Sequence, residues 1–145
     1  MFGIIVIGHG GFASGLAKNI KMLSGENITA IDFTEEITPE DLDKKILDAI
    51  ETFNQLNQII IFTDIPGGTP YNRSVMVGVS NPKIRIIAGT NVPMLLDAVL
   101  KNMNEMSFDN IDDLVKQLMD TAKEGIVKFE MPESIENKDA EEDGI

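Results

Sequence analysis

The sequence predicts an α/β fold, an open doubly wound sheet of four parallel strands followed by a last strand of different character. Three observations predict it. Short runs rich in Ile and Val alternate with stretches whose apolar residues fall at helical spacing. Those runs are almost continuously apolar, as strands covered on both faces must be. The chain has 145 residues, most simply one domain, and that length buries a core of this kind without disulfides or metals.

Each element follows in order. FGIIVIG (2–8) is a glycine-bounded apolar strand. FASGLAKNIKMLSG follows it with apolar residues at 12, 16, 17, 20 and 23, a helical pattern. ITAIDF (28–33) is the second strand. Thr38 before Pro39 reads as an N-cap and first-turn proline, opening a helix that carries Leu42, Ile46, Ile50 and Phe53. QIIIFT (58–63) is the third strand. Thr69-Pro70 repeats the cap signature and opens a helix through about Val79. IRIIA (84–88) is the fourth strand, and Pro93 starts the next helix. Residues 109–123 form a further helix with Ile111, Leu114, Val115, Leu118 and Met119 on one stripe. IVKFE (126–130) alternates apolar and polar residues, so it is expected as an exposed or edge strand.

Composition narrows the function classes. There are no cysteines, so thiolate chemistry and a disulfide framework are excluded. The net charge is −12, which disfavours nucleic acid and anionic membrane as direct partners. Six acids and one lysine lie in residues 133–145, and a disordered acidic tail is expected over 131–145, after a folded domain over 1–130. No apolar run approaches the roughly 20 residues that span a bilayer. MFGIIVIG lacks a basic leading segment and a cleavage-like site, so a cytoplasmic location is expected.

In open α/β sheets ligands bind beyond the carboxyl ends of the strands. Those ends are Gly8-His9-Gly10, Asp32-Phe33, Thr63-Asp64 and Gly89-Thr90-Asn91, and His9 is the only histidine. With strand order 2-1-3-4, the first and third strands are neighbours, and His9 and Asp64 lie side by side at the switch point. One histidine with Asp64 and Asp32 falls short of the three or four ligands of a zinc site, so no metal is expected. Neither a G-x-S-x-G elbow nor a G-x-x-x-x-G-K-[ST] loop occurs. Gly8-His9-Gly10-Gly11-Phe12-Ala13 does match G-x-G-x-x-A, with Asp32 where a ribose-binding acid belongs. A dinucleotide-binding module is thus an alternative, but the chain is short for six strands and a catalytic domain. A histidine between the first two glycines would also crowd the pyrophosphate.

The remaining chemistry makes His9 itself a phosphoryl acceptor. Neutral imidazole is a competent nucleophile near neutral pH, provided its second ring nitrogen is held. A carboxylate at the neighbouring strand end, Asp64, holds it and steadies the charge that grows on the ring. Gly67, Gly68 and Thr69 then offer the phosphoryl group backbone approach, free amides and the positive end of a helix dipole. The Thr69 hydroxyl either caps that helix or donates to phosphate. Gly10 and Gly11 keep the approach open. Phosphoryl transfer of this kind demands positioning and charge stabilisation, and no cofactor.

IGHGGFASG, FTDIPGGTPYN and IAGTNVPML, in that order over roughly residues 1–130, resemble the IIA component of mannose-family sugar phosphotransferase systems. The resemblance implies a phosphocarrier. The histidine matching His9 accepts a phosphoryl group from HPr on its outer ring nitrogen and passes it to the IIB component during sugar uptake. The aspartate matching Asp64 bonds the other nitrogen. It further implies strand order 2-1-3-4 and a homodimer that exchanges a last antiparallel strand, which IVKFE matches. Contact with the membrane would be only indirect, through the transporter. Family members commonly carry a bulky residue at position 66 and serine at position 69. Thr69 keeps the hydroxyl, whereas Pro66 alters the rim a partner would touch. IIB is expected on a separate polypeptide. A phosphotransfer subunit serving dihydroxyacetone kinase is the alternative in the same fold, but its usual motifs lack the GGTPYN-like turn.

Overall fold

A computed structural model describes residues 1–133 of the chain. Its elements are β1 (Gly3–His9), α1 (Phe12–Ser24), β2 (Thr29–Phe33), α2 (Pro39–Glu51), β3 (Ile59–Thr63), α3 (Thr69–Gly78), β4 (Ile84–Ile87), α4 (Val92–Met103) and α5 (Ile111–Glu124). The strands form one parallel sheet in the order β2-β1-β3-β4, as expected. From residue 134 onward the expected acidic tail lies outside the described residues.

The continuous apolar character of β1 follows from burial on both faces. Ile4 and Val6 pack with Ile20, Leu95, Leu114 and Leu118 of α1, α4 and α5. Ile5 and Ile7 point the other way, into a second cluster with Leu42, Ile46 and Ala49 of α2. Alternate residues of β3 divide likewise, Ile60 and Phe62 with the first cluster, Ile59 and Ile61 with the second. Both layers bury apolar surface, the main driving force of folding. The sheet is therefore rigid at its centre, and His9 and Asp64 emerge from its two central strands.

Two local expectations need correction, and a third is not met within the single chain. The first strand runs on to His9, which pairs with Phe33, so the histidine is the last residue of a strand and not part of a free turn. The N-cap of α3 is Gly68, and Thr69 is already helical; its hydroxyl makes no capping hydrogen bond. Thr38, in contrast, caps α2 in a capping box with Asp41. Lastly, residues 126–130 form no strand in the single chain. Ile126, Val127 and Phe129 are each more than three-quarters exposed. An alternating pattern becomes a strand only when a ladder partner satisfies its backbone. Among the described residues β4 pairs only with β3, which leaves its other edge open there.

Candidate active site

β1 ends at His9 because Gly10 takes the left-handed conformation, φ 57°, and turns the chain toward α1. The Gly10 amide donates to the Phe33 carbonyl (2.8 Å), which ties this turn to the end of β2. That amide is engaged within the protein; the contribution of Gly10 is the turn and the open space above it. The His9 side chain is 44 % exposed, with the Phe33 ring edge-on at 6.0 Å.

Asp64 follows β3 directly and meets His9 across the sheet. Its Oδ2 accepts from the His9 amide (2.9 Å) and lies 2.6 Å from Nδ1, while Oδ1 accepts from the Ile65 amide (2.9 Å). Burial pushes the Asp64 carboxyl up, but the hydrogen bonds from the His9 amide and ring and the Ile65 amide outweigh it. The carboxyl is held below its ordinary 3.8. An ionised carboxylate only accepts, so Nδ1 carries the hydrogen and the lone pair resides on Nε2.

The glycine turn closes the third side. Gly67 adopts φ 78°, and the Asn72 side-chain amide donates to its carbonyl (2.9 Å). A Cβ on Gly68 would stand 2.8 Å from Cε1 of His9, so the backbone at this position lies against the imidazole itself. The amides of Thr69 and Tyr71 belong to the unpaired first turn of α3, and Pro70 has none. Helices α2, α4 and α5 are capped by Thr38, Asn91 and Asn110. Helices α1 and α3, which start beside His9, have glycine N-caps with no capping side chain of their own.

The structure thus brings His9, Asp64, Gly67, Gly68 and Thr69 around one strand end. It sets Asp32 apart from this group: its Oδ1 accepts from the Ser14 amide (3.0 Å) and serves the first turn of α1. In a dinucleotide site that amide turn would face pyrophosphate and the acid would face ribose. Asn72 and the Ile65 amide were not singled out from the sequence. The GGTPYN run contains Asn72, but nothing in its spacing reveals that its side chain reaches back five residues.

Comparison with known proteins decides the family. A family model described as PTS system fructose IIA component (EIIA-man) matches residues 3–119. The chain belongs to this IIA family. A sorbose-specific EIIA component of Lacticaseibacillus casei is 36 % identical over 123 residues, covering 83 % of this chain and 86 % of that one. A mannose-specific EIIAB component of Escherichia coli is 33 % identical over 125 residues, covering 84 % of this chain. This IIA chain spans only 38 % of the length of that two-component relative. A crystal structure of a phosphotransferase system component EIIA from Streptococcus agalactiae superimposes with a TM-score of 0.77 at 30 % identity, over 88 % of this chain and 97 % of that one.

Proposed function

We propose that this IIA protein is a phosphohistidine carrier that takes a phosphoryl group from phospho-HPr onto His9 and delivers it to a IIB component during sugar uptake. The observation that carries it is the 2.6 Å pairing of Nδ1 with Asp64 on a half-exposed imidazole, which dedicates Nε2 to attack. In the loading step the Nε2 lone pair forms the new N–P bond as the donor's N–P bond breaks, and the electron pair of that bond returns to the donor imidazole. The Nδ1 hydrogen stays on the ring, bonded to Asp64, whose negative charge balances the imidazolium that forms. Gly67, Gly68 and Thr69 receive the phosphoryl oxygens through backbone amides and the Thr69 hydroxyl, aided by the dipole of α3. Gly10 leaves the approach of the donor open. Discharge to IIB is the same step in reverse with a new acceptor.

The mannose- and sorbose-specific names of the relatives support sugar uptake as the setting; in this reading the carrier works in the cytoplasm and meets the membrane only through the transporter. Among the described residues no helix is long and apolar enough to cross a membrane. A folded domain over 1–130 followed by an acidic tail remains our reading of the chain. Residues 126–130 pair antiparallel with a second copy in a strand-exchanged homodimer, supported by their exposed Ile126, Val127 and Phe129 and by the open edge of β4.

Incubation with phosphoenolpyruvate, enzyme I and HPr, followed by intact mass, tests the carrier. One phosphate is expected on the native chain and none on His9→Gln. A phosphorylated His9→Gln variant would remove His9 from its role. The dinucleotide reading predicts thermal stabilisation by NAD, and none is expected here.

A further inference from the structure

We infer that Thr90 is a positioning residue for the histidine–aspartate pair, acting from the β4 end through the backbone of β3. The registered pairing of β3 with β4 ends at Phe62–Ile87. Beyond it the two chains must part, since α3 and α4 begin on separate courses. Asp64 lies in that parting segment, where a ladder normally frays. Here the ladder is prolonged by hydroxyl groups. The Thr63 carbonyl accepts both the amide (3.2 Å) and the Oγ1 hydroxyl (2.7 Å) of Thr90. The Thr63 hydroxyl donates to the Ile87 carbonyl (3.0 Å), and the Gly89 amide donates to the Asp64 carbonyl (3.0 Å). Thr63 is fully buried and Thr90 nearly so, so water cannot substitute for these bonds.

The consequence reaches the imidazole. Asp64 receives hydrogen bonds from His9 and Ile65 on its carboxylate; its backbone follows Thr63, which pairs with Ile7 of β1 on one side, and on the other side it is held by the turn at 87–90. Loosening that turn lets the carboxylate drift from Nδ1 while the core beneath stays packed. The role falls on Thr90 because its amide and its hydroxyl both close on the carbonyl of the residue preceding Asp64. The kinetic arm of the test rests on the carrier function; the spectroscopic arm does not.

Because His9 is the only histidine, its ring N–H resonance is unambiguous in NMR. Thr90→Val removes the hydroxyl at nearly constant volume. The expected result is faster exchange and broadening of the Nδ1–H signal, with phosphoryl transfer from phospho-HPr slowed roughly tenfold and the KM for HPr unchanged. Thr90→Ser restores both. Native ring signal and native rate in Thr90→Val would overturn the inference, as would a Thr90→Ser variant as impaired as Thr90→Val. If Thr90→Val does not fold, Thr90→Ala, which deletes the same hydroxyl bond to the Thr63 carbonyl without a branched side chain, is expected to give the same broadening, and a native signal there overturns it equally. Failure of the native chain to accept phosphate would instead overturn the carrier function and leave the ring signal to decide the role of Thr90.

Discussion

A side chain at position 68 would run into His9 first and Ile65 next. The Cβ of Gly68→Ala would sit 2.8 Å from Cε1, and the ring relieves the clash only by swinging off Asp64. Transfer is expected to drop roughly 100-fold, the scale of an ångström misplacement, with the melting temperature nearly unchanged. A variant with native transfer would show that the ring tolerates the shift. Asp64→Ala is expected to fold and to transfer roughly 100-fold more slowly, since the ring loses its tautomer control; stopped phosphorylation time courses measure it. The Asp64 bonds also leave a thermodynamic trace. Its folded pKa lies below the ordinary 3.8, so its contribution to stability is complete above that value and is lost as pH falls through the folded one. The gap in melting temperature between native and Asp64→Asn proteins is expected to narrow as pH falls below about 4. The sequence placed His9 and Asp64 correctly because both follow apolar runs whose ends are easily read. It assigned the glycines to phosphate alone, because contact between a backbone and a distant ring leaves no local pattern.

At the scale of elements, β1, β3 and the five helices were legible because burial on both sheet faces writes unbroken Ile and Val runs, and amphipathic helices write a 3.6-residue period. The N-cap of α3 was misplaced by one residue. Thr69-Pro70 looks like Thr38-Pro39, yet only Thr38 has an acid three residues on, Asp41, to complete a capping box. Asn72 stands at the corresponding place after Thr69 and turns to Gly67 instead. Asp32 carries another lesson. It ends β2 where a ribose ligand would be sought, but its carboxylate supports the first turn of α1 through the Ser14 amide. Asp32→Ala is expected to cost about 1 kcal/mol, by analogy with a lost helix cap. Denaturant titration measures this, and an unchanged midpoint would mean that water replaces the carboxylate. Phosphorylation of that variant is expected to persist, because α1 keeps its packing on Ile4 and Val6.

For the whole molecule, the stretch 126–130 and the unpaired edge of β4 complement one another without touching in a single chain. Light scattering is expected to give the mass of two chains for the full protein and of one for a truncation ending at Gly125. A dimeric truncation would place the interface elsewhere. The sequence revealed the alternation but could not show which edge is free to pair with it, because pairing is decided by available edges and not by the segment itself. The carboxylate of Asp64 has a broader consequence. Main-chain amides from two different strands' ends secure it independently of the imidazole ring. In the proposed carrier, an anchor of this kind would hold one shape loaded and empty, so that no rearrangement biases it toward either state. The direction of traffic would then be left to supply upstream and demand downstream, with the protein a reversible stepping stone between them.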